Sequence, residues 1–167
     1  LPVRGVKEVK AVQKIAVEET RLGIPLIIGF DVIHGYKTLS PIPLAEAASW
    51  DMEAIKKSAQ VAAAEASAVG INWTFGPNVD VSHDARWGRV MEGAGEDAYL
   101  GSKIAIARVT GFQGDTKGDL LKVNTIAACA KHFAAYGFAK AGKEYNTVDI
   151  SNSRLYNEVL PPFYAAT

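Results

Sequence analysis

Apolar and polar positions alternate along this chain in two distinct patterns. Three short runs are nearly continuous in apolar residues: 24–31 (IPLIIGFD), 72–81 (NWTFGPNVDV) and 125–133 (TIAACAKHF). Each has the length of one strand, and the lack of a polar face suits a parallel strand covered on both sides. Helical patterns lie between them. Residues 7–22 put Val9, Val12, Ile15, Ala16 and Leu22 on one side, with Lys10, Lys14 and Glu18 interspersed, and Gly23 supplies a stop. Residues 51–69 are Ala-rich, with Ser49 or Asp51 as the N-cap and Gly70 as the terminator. Residues 97–112 begin with acidic side chains and end near Gly111 and Gly114. Ser151 caps a last helix through Leu160, where Pro161-Pro162 interrupts the pattern.

The order helix, strand, helix, strand, helix, strand, helix predicts βα units and a parallel sheet. The loops after the strands are long and polar. In a (β/α)8 barrel such loops build the C-terminal mouth, where active sites lie. Three strands cannot close a barrel of eight, and a sheet this small leaves an open edge. The fold class is therefore read as α/β, roughly the first half of a (β/α)8 TIM-like barrel. Residues 1–167 form a single, incomplete domain in this reading, with the remainder of the barrel as its missing partner. The chain opens at Leu1 in what reads as a linker into a helix, with no secretion signal in view.

Composition narrows the function classes. The 167 residues carry 18 Lys+Arg against 18 Asp+Glu, a net charge of zero. That balance argues against a nucleic-acid binder or a polybasic membrane-surface protein. Hydrophobic residues at 49% and charged residues at 22% are too apolar a mixture for disorder. No apolar run approaches the ~18–20 residues of a membrane span, so no membrane insertion is expected. One cysteine, Cys129, excludes an internal disulfide.

Four polar clusters fall where strand ends and strand-to-helix loops are predicted. The first is 29–35 (GFDVIHG). Asp31 at the end of an apolar run is too costly to bury unpaired. It either accepts hydrogen bonds from a polyol's hydroxyls or binds loop backbone amides, and His34 braces the loop or reaches a ligand. The second, 83–97, packs Arg86, Trp87, Arg89, Glu92 and Glu96 among three glycines. One Arg is expected to be structural, held by Glu92 or Glu96, and the other free to reach a ligand with its planar fork of donors. Trp87 either stacks on a sugar's C–H face or packs in the loop. The third is Lys131-His132-Phe133. Adjacent strand residues point to opposite faces, so both polar side chains reach one pocket only if the strand has ended there. The alternative is a Lys131 salt bridge with His132 as a cap. The fourth, 142–149, reads as a pocket-rim loop.

No HExxH or CxxC spacing, phosphate loop, dinucleotide fingerprint or GxSxG elbow occurs, so neither a metal nor a cofactor is expected. The residues alone support a polyol or sugar pocket. A Schiff-base role for Lys131 in a lyase is a remote alternative, since the RWGR block has no part in it.

Taken together, the blocks IPLIIGFDVIHGYKTLSPIPLAEAASWD, FGPNVDVSHDARWGRVMEGAGEDAYLG, AACAKHFAAYG and GKEYNTVDIS resemble the N-terminal barrel domain of glycoside hydrolase family 3. They are most similar to its bacterial periplasmic β-glucosidases. The resemblance implies a retaining, exo-acting enzyme that removes terminal β-D-glucosyl residues. It implies that Asp31, Lys131 and His132 bind the sugar in subsite −1 together with an Arg of the RWGR block, Arg89 by preference and Arg86 as second choice. It implies a periplasmic or extracellular location and a second domain. The family's nucleophile lies in a later Ser-Asp block and its acid/base Glu in the second domain, and neither occurs here. The chain is thus expected to carry sugar-binding but no catalytic residues, and to be inactive alone. A β-xylosidase of the same family and a non-catalytic sugar-binding module are the alternatives. The N-acetylglucosaminidase branch is disfavoured, because KHF is followed by Ala134-Ala135-Tyr136-Gly137 and no His lies beyond His132.

Overall fold

The computed structural model describes residues 5–167. The linker expected at the start of the chain lies outside the described residues. Helix α1 (Val6–Lys14) continues through a π-helical turn (Ile15–Glu19) and ends before Thr20, which is extended. Strand β1 (Gly29–Phe30) follows, then α2 (Pro43–Ser49), α3 (Met52–Ser67), β2 (Trp73–Thr74) and α4 (Ala98–Gln113). The chain closes on one helical stretch made of α5 (Asn152–Arg154), a π-helical turn (Leu155–Val159) and α6 (Leu160–Ala165).

The predicted parallel pairing is present. β1 and β2 are parallel, with Gly29 opposite Trp73 and Phe30 opposite Thr74. The third apolar run lies on the other side of β2. Its hydrogen bonds form a parallel but broken ladder: Thr74 N–H to Ala127 O (2.8 Å), Cys129 N–H to Gly76 O (2.8 Å) and Lys131 N–H to Pro77 O (3.1 Å). Pro77 has no N–H to give to the ladder, and regular strand stops after Thr74.

Three expectations need correction. The run 24–31 is not buried on both faces: Ile27 is 75% exposed and Ile24 and Leu26 are exposed too, since regular strand begins only at Gly29 and these residues precede it. Leu22 and Ile15 are exposed instead of sharing the buried side of α1 with Val9 and Ala16: Leu22 lies past the end of the helix at Thr20, and Ile15 opens the π-helical turn. Pro161 and Pro162 do not end the last helix. They follow the π-helical turn, where the Leu160 N–H bond to Leu155 O has already shifted the regular ladder by one residue.

The caps foreseen at Asp51 and Ser151 are present, and Asp97, read as the first residue of its helix, stands just outside it as the cap. Asp51 accepts from Ala54 N–H (3.0 Å), Asp97 from Leu100 N–H (2.6 Å) and Ser151 from Arg154 N–H (3.3 Å). The alanines of α3 (Ala59, Ala62, Ala63, Ala66) pack with Val32, Ile71, Phe112 and Ile126 into one core cluster. Gly111 lets α4 come this close: a Cβ there would lie 2.6 Å from the Ala59 Cβ and 2.7 Å from Lys56 O. Its role is close packing, and the helix stops only at Gly114, whose φ is 86°. Helix α2 was not foreseen. Its signal is Pro43 in the first turn followed by Leu-Ala-Glu-Ala-Ala, good helix formers behind a proline at the position that tolerates it.

Candidate functional site

Parallel strands end on one side of a sheet, and the predicted site residues follow those ends. Asp31 comes directly after β1. Its Oδ1 accepts the N–H of Ile33 (3.0 Å), which turns the loop, and its Oδ2 receives the ammonium of Lys131 (3.1 Å). Lys131 closes the third extended run, where Val79 N–H donates to its carbonyl (2.9 Å). The loop-amide reading of the first cluster is therefore realised, and the other oxygen of Asp31 pairs with Lys131.

The strand has ended at Lys131, as the shared-pocket reading requires. The Lys131–His132 and Phe133–Ala134 peptides are both cis, and Phe133 is exposed. His132 turns back onto Asp80, whose side chain is only 1% exposed. Asp80 Oδ2 accepts from His132 Nδ1 (2.8 Å) and from the His132 backbone N–H (3.1 Å). Burial pushes the Asp80 carboxyl up from the ordinary carboxylate range, and the His132 contacts oppose that rise. Tyr136 packs edge-to-face on the imidazole at 5.0 Å and 82°.

Arg89 belongs to the same group. Its Nε and Nη2 bind both oxygens of Glu92 (2.8 and 2.6 Å), and its guanidinium lies 5.7 Å from the Tyr136 ring centre. This bidentate pair raises the Arg89 pKa and lowers that of Glu92. Glu92 also feels the charges of Lys131 and His132, so Arg89, Lys131 and His132 share one electrostatic neighbourhood. The expected division into one held and one free Arg is corrected here: Glu92 holds Arg89, the one preferred for the ligand, and Asp84 holds Arg86, because each guanidinium has a carboxylate two or three residues away. The Nη1 of Arg89 stays uncommitted to the Glu92 carboxylate.

Arg86 is not brought into this group. Its side chain is 72% exposed and folds back on Asp84 (2.7–3.3 Å), holding that carboxyl at about 2. Trp87 is 1% exposed, so it packs in the loop, edge-on to Tyr136, and does not present a face to a sugar. His34 is exposed. The rim loop reaches the site through Glu144, which hydrogen-bonds the Tyr136 hydroxyl and helps push that phenol up to about 12. A groove of about 460 Å3 elsewhere, between α4 and the last residues of the chain, is lined by none of the five predicted residues.

Asp80, Tyr136 and the Glu46–Arg108 pair escaped the sequence reading. Asp80 carried a signal: it is a carboxylate inside an apolar run, the argument already applied to Asp31. Arg108 of α4 pairs with Glu46 of α2, both nearly fully buried, and donates to Ile33 O (2.9 Å), pinning the loop after Asp31 from behind. The mouth therefore offers a carboxylate acceptor, an ammonium, an imidazole nitrogen and a guanidinium within one patch. That set suits several hydroxyls fixed on a rigid ring.

A family model, the glycosyl hydrolase family 3 N-terminal domain, matches residues 2–167. A periplasmic beta-glucosidase of Salmonella typhimurium is 44% identical over 159 residues, 95% of this chain and 20% of that protein. A beta-xylosidase of Formosa agariphila is 40% identical over 156 residues, 87% of this chain and 21% of that protein. The crystal structure of a beta-glucosidase from Listeria innocua in complex with isofagomine superposes with a TM-score of 0.95 at 48% identity, covering 98% of this chain and 23% of that one. The same protein has been solved in complex with glucose and, as a mutant, with laminaribiose. The chain spans about a fifth of the length of the relatives it matches.

Proposed function

Because the chain belongs to glycosyl hydrolase family 3, we propose that it is the sugar-gripping part of a retaining, exo-acting β-glucosidase. The observation that carries this is the meeting of Asp31 and Lys131 at 3.1 Å, with His132 and Arg89 in the same polar patch. Asp31 accepts from two neighbouring hydroxyls of the non-reducing glucose. Lys131 and Arg89 donate to the remaining hydroxyl oxygens of the ring, and His132 Nε2 faces a further hydroxyl. Holding the pyranose at several points fixes the anomeric carbon for attack, and hydrogen bonds that strengthen as the ring becomes oxocarbenium-like lower the barrier. The nucleophile and the acid/base come from other parts of the complete protein, in a double displacement through a glycosyl-enzyme. The names of the relatives support a periplasmic or extracellular setting and a β-glucoside as substrate. Arg86 is kept as an outer contact, reachable only if it leaves Asp84.

β-Xylosidase is the second reading, favoured by the Formosa relative. Nitrophenyl β-glucoside and β-xyloside, given to the complete protein, separate the two by their kcat/KM ratio. A preference for glucoside supports the proposal and a preference for xyloside replaces it. No turnover of either by the complete protein leaves the sugar-binding module.

A further inference from the structure

Resting on that reading, we infer that Asp80 is a positioning residue: it holds His132 with the proton on Nδ1 and so presents Nε2 to the sugar. Asp80 Oδ2 receives two contacts from the same residue, the ring Nδ1 at 2.8 Å and the backbone N–H at 3.1 Å. An oxygen that already accepts the backbone N–H meets Nδ1 as an acceptor, so the hydrogen of that bond belongs to the ring. The second ring nitrogen, Nε2, has no hydrogen-bond partner among the described residues. Tyr136 walls the ring edge-to-face at 5.0 Å, so rotation about the side chain is closed off from that direction as well.

Asp80 is itself held. Its N–H donates to Asn78 Oδ1 (2.8 Å), and Gly93 passes so near that a Cβ there would lie 3.1 Å from Asp80 O. Its side chain is buried, and its other oxygen, Oδ1, has no partner among the described residues. Among the described residues, the two bonds from His132 are all the hydrogen bonding this carboxylate has. A buried carboxylate satisfied by one histidine, and a histidine aimed by one carboxylate, make a coupled pair. Asp80 touches no sugar in this arrangement and acts only through His132.

A double-mutant cycle in the complete enzyme tests this. Removing a carboxylate behind a working histidine is expected to lower kcat/KM about 10–100-fold, so Asp80→Asn falls by that much. His132→Ala falls at least as far, and the double variant falls no further than His132→Ala alone. Losses that multiply would show that Asp80 works independently of His132 and overturn the inference, as would an Asp80→Asn enzyme with unchanged kcat/KM. An unchanged His132→Ala enzyme would instead overturn the sugar-binding role of His132, and with it the reading beneath. Should Asp80→Asn not fold, the native enzyme still decides the matter. The 15N shifts of the His132 ring, assigned by comparison with His132→Gln, are expected to show a protonated Nδ1. An unprotonated Nδ1 overturns the inference.

Discussion

Asp31 and Lys131 stand 100 residues apart in the chain, yet the Lys131 ammonium lies 3.1 Å from Asp31 Oδ2. The contact follows from topology. β1, β2 and the third extended run are parallel, so residues just beyond the first and third strands emerge on the same side of the sheet. Neither charge is unpaired before a sugar arrives, and each keeps spare hydrogen-bonding capacity for hydroxyls. A hydrogen bond to a charged group contributes about 1.5–3 kcal/mol, or roughly 10–150-fold in an equilibrium or rate constant. Asp31→Asn and Lys131→Met in the complete enzyme are each expected to lower kcat/KM by at least this factor on an aryl β-glucoside. An unchanged kcat/KM in both variants would remove them from the sugar site.

Trp87 separates packing from recognition. It is fully buried against Tyr136 and Gly142 lies against its backbone, so truncation opens a cavity. Trp87→Ala is expected to cost about 3–5 kcal/mol of stability. Trp87→Phe is expected to cost less and to leave KM within about twofold, since RT ln 2 is only about 0.4 kcal/mol. A large rise in KM with unchanged thermal stability for the Phe variant would restore Trp87 as a sugar platform.

The buried pair Glu46–Arg108 makes a stability prediction. Glu46 also accepts from Ser58 (2.7 Å), and burial lowers the Arg108 pKa against the pull of Glu46. Glu46→Ala strands a buried guanidinium and is expected to cost about 3–5 kcal/mol. Replacing both partners with apolar residues, Glu46→Leu with Arg108→Met, is expected to recover most of that loss. Urea unfolding midpoints measure both. A Glu46→Ala variant within 1 kcal/mol of the native protein, by the same ~1.4 kcal/mol per tenfold scale, would contradict the burial cost assigned to this pair.

Acid sensitivity has a definite sign. Lys122 and the Thr116 N–H hold the Asp119 carboxyl at about 2, against an ordinary 3.8. A carboxyl depressed in the folded state stabilises it above the unfolded value, and that contribution is lost as pH falls through the folded one. Melting temperature is thus expected to drop between pH ~4 and ~2, and Asp119→Asn to flatten that limb while leaving neutral-pH activity intact. A variant with the same acid limb as the native protein would assign the loss to other carboxylates.

Much of the fold was legible because its signals are local. Asp51 and Ser151 cap helices where their position before an apolar pattern predicted it, and the three apolar runs align in parallel. What failed depended on neighbours. Ile27 looks like a core residue, yet it precedes β1, and its 75% exposure depends on what packs beside it rather than on its own apolar character. Asp31, Lys131 and His132 were legible because charged groups at the ends of apolar runs must face something polar. Arg89 and Arg86 were not separable by composition. Their difference lies in which carboxylate each meets, Glu92 beside the site or Asp84 on the surface. Asp80 hid inside a run read as a buried strand, and its partner His132 is 52 residues away.

The most direct measurement is a crystal structure of the complete enzyme with glucose bound. The expected result places the Asp31 carboxylate, the Lys131 ammonium, His132 Nε2 and the Arg89 guanidinium all within hydrogen-bonding distance of one pyranose, about 2.6–3.2 Å. A glucose that occupies the active site and leaves two or more of these four without a contact would contradict the shared grip.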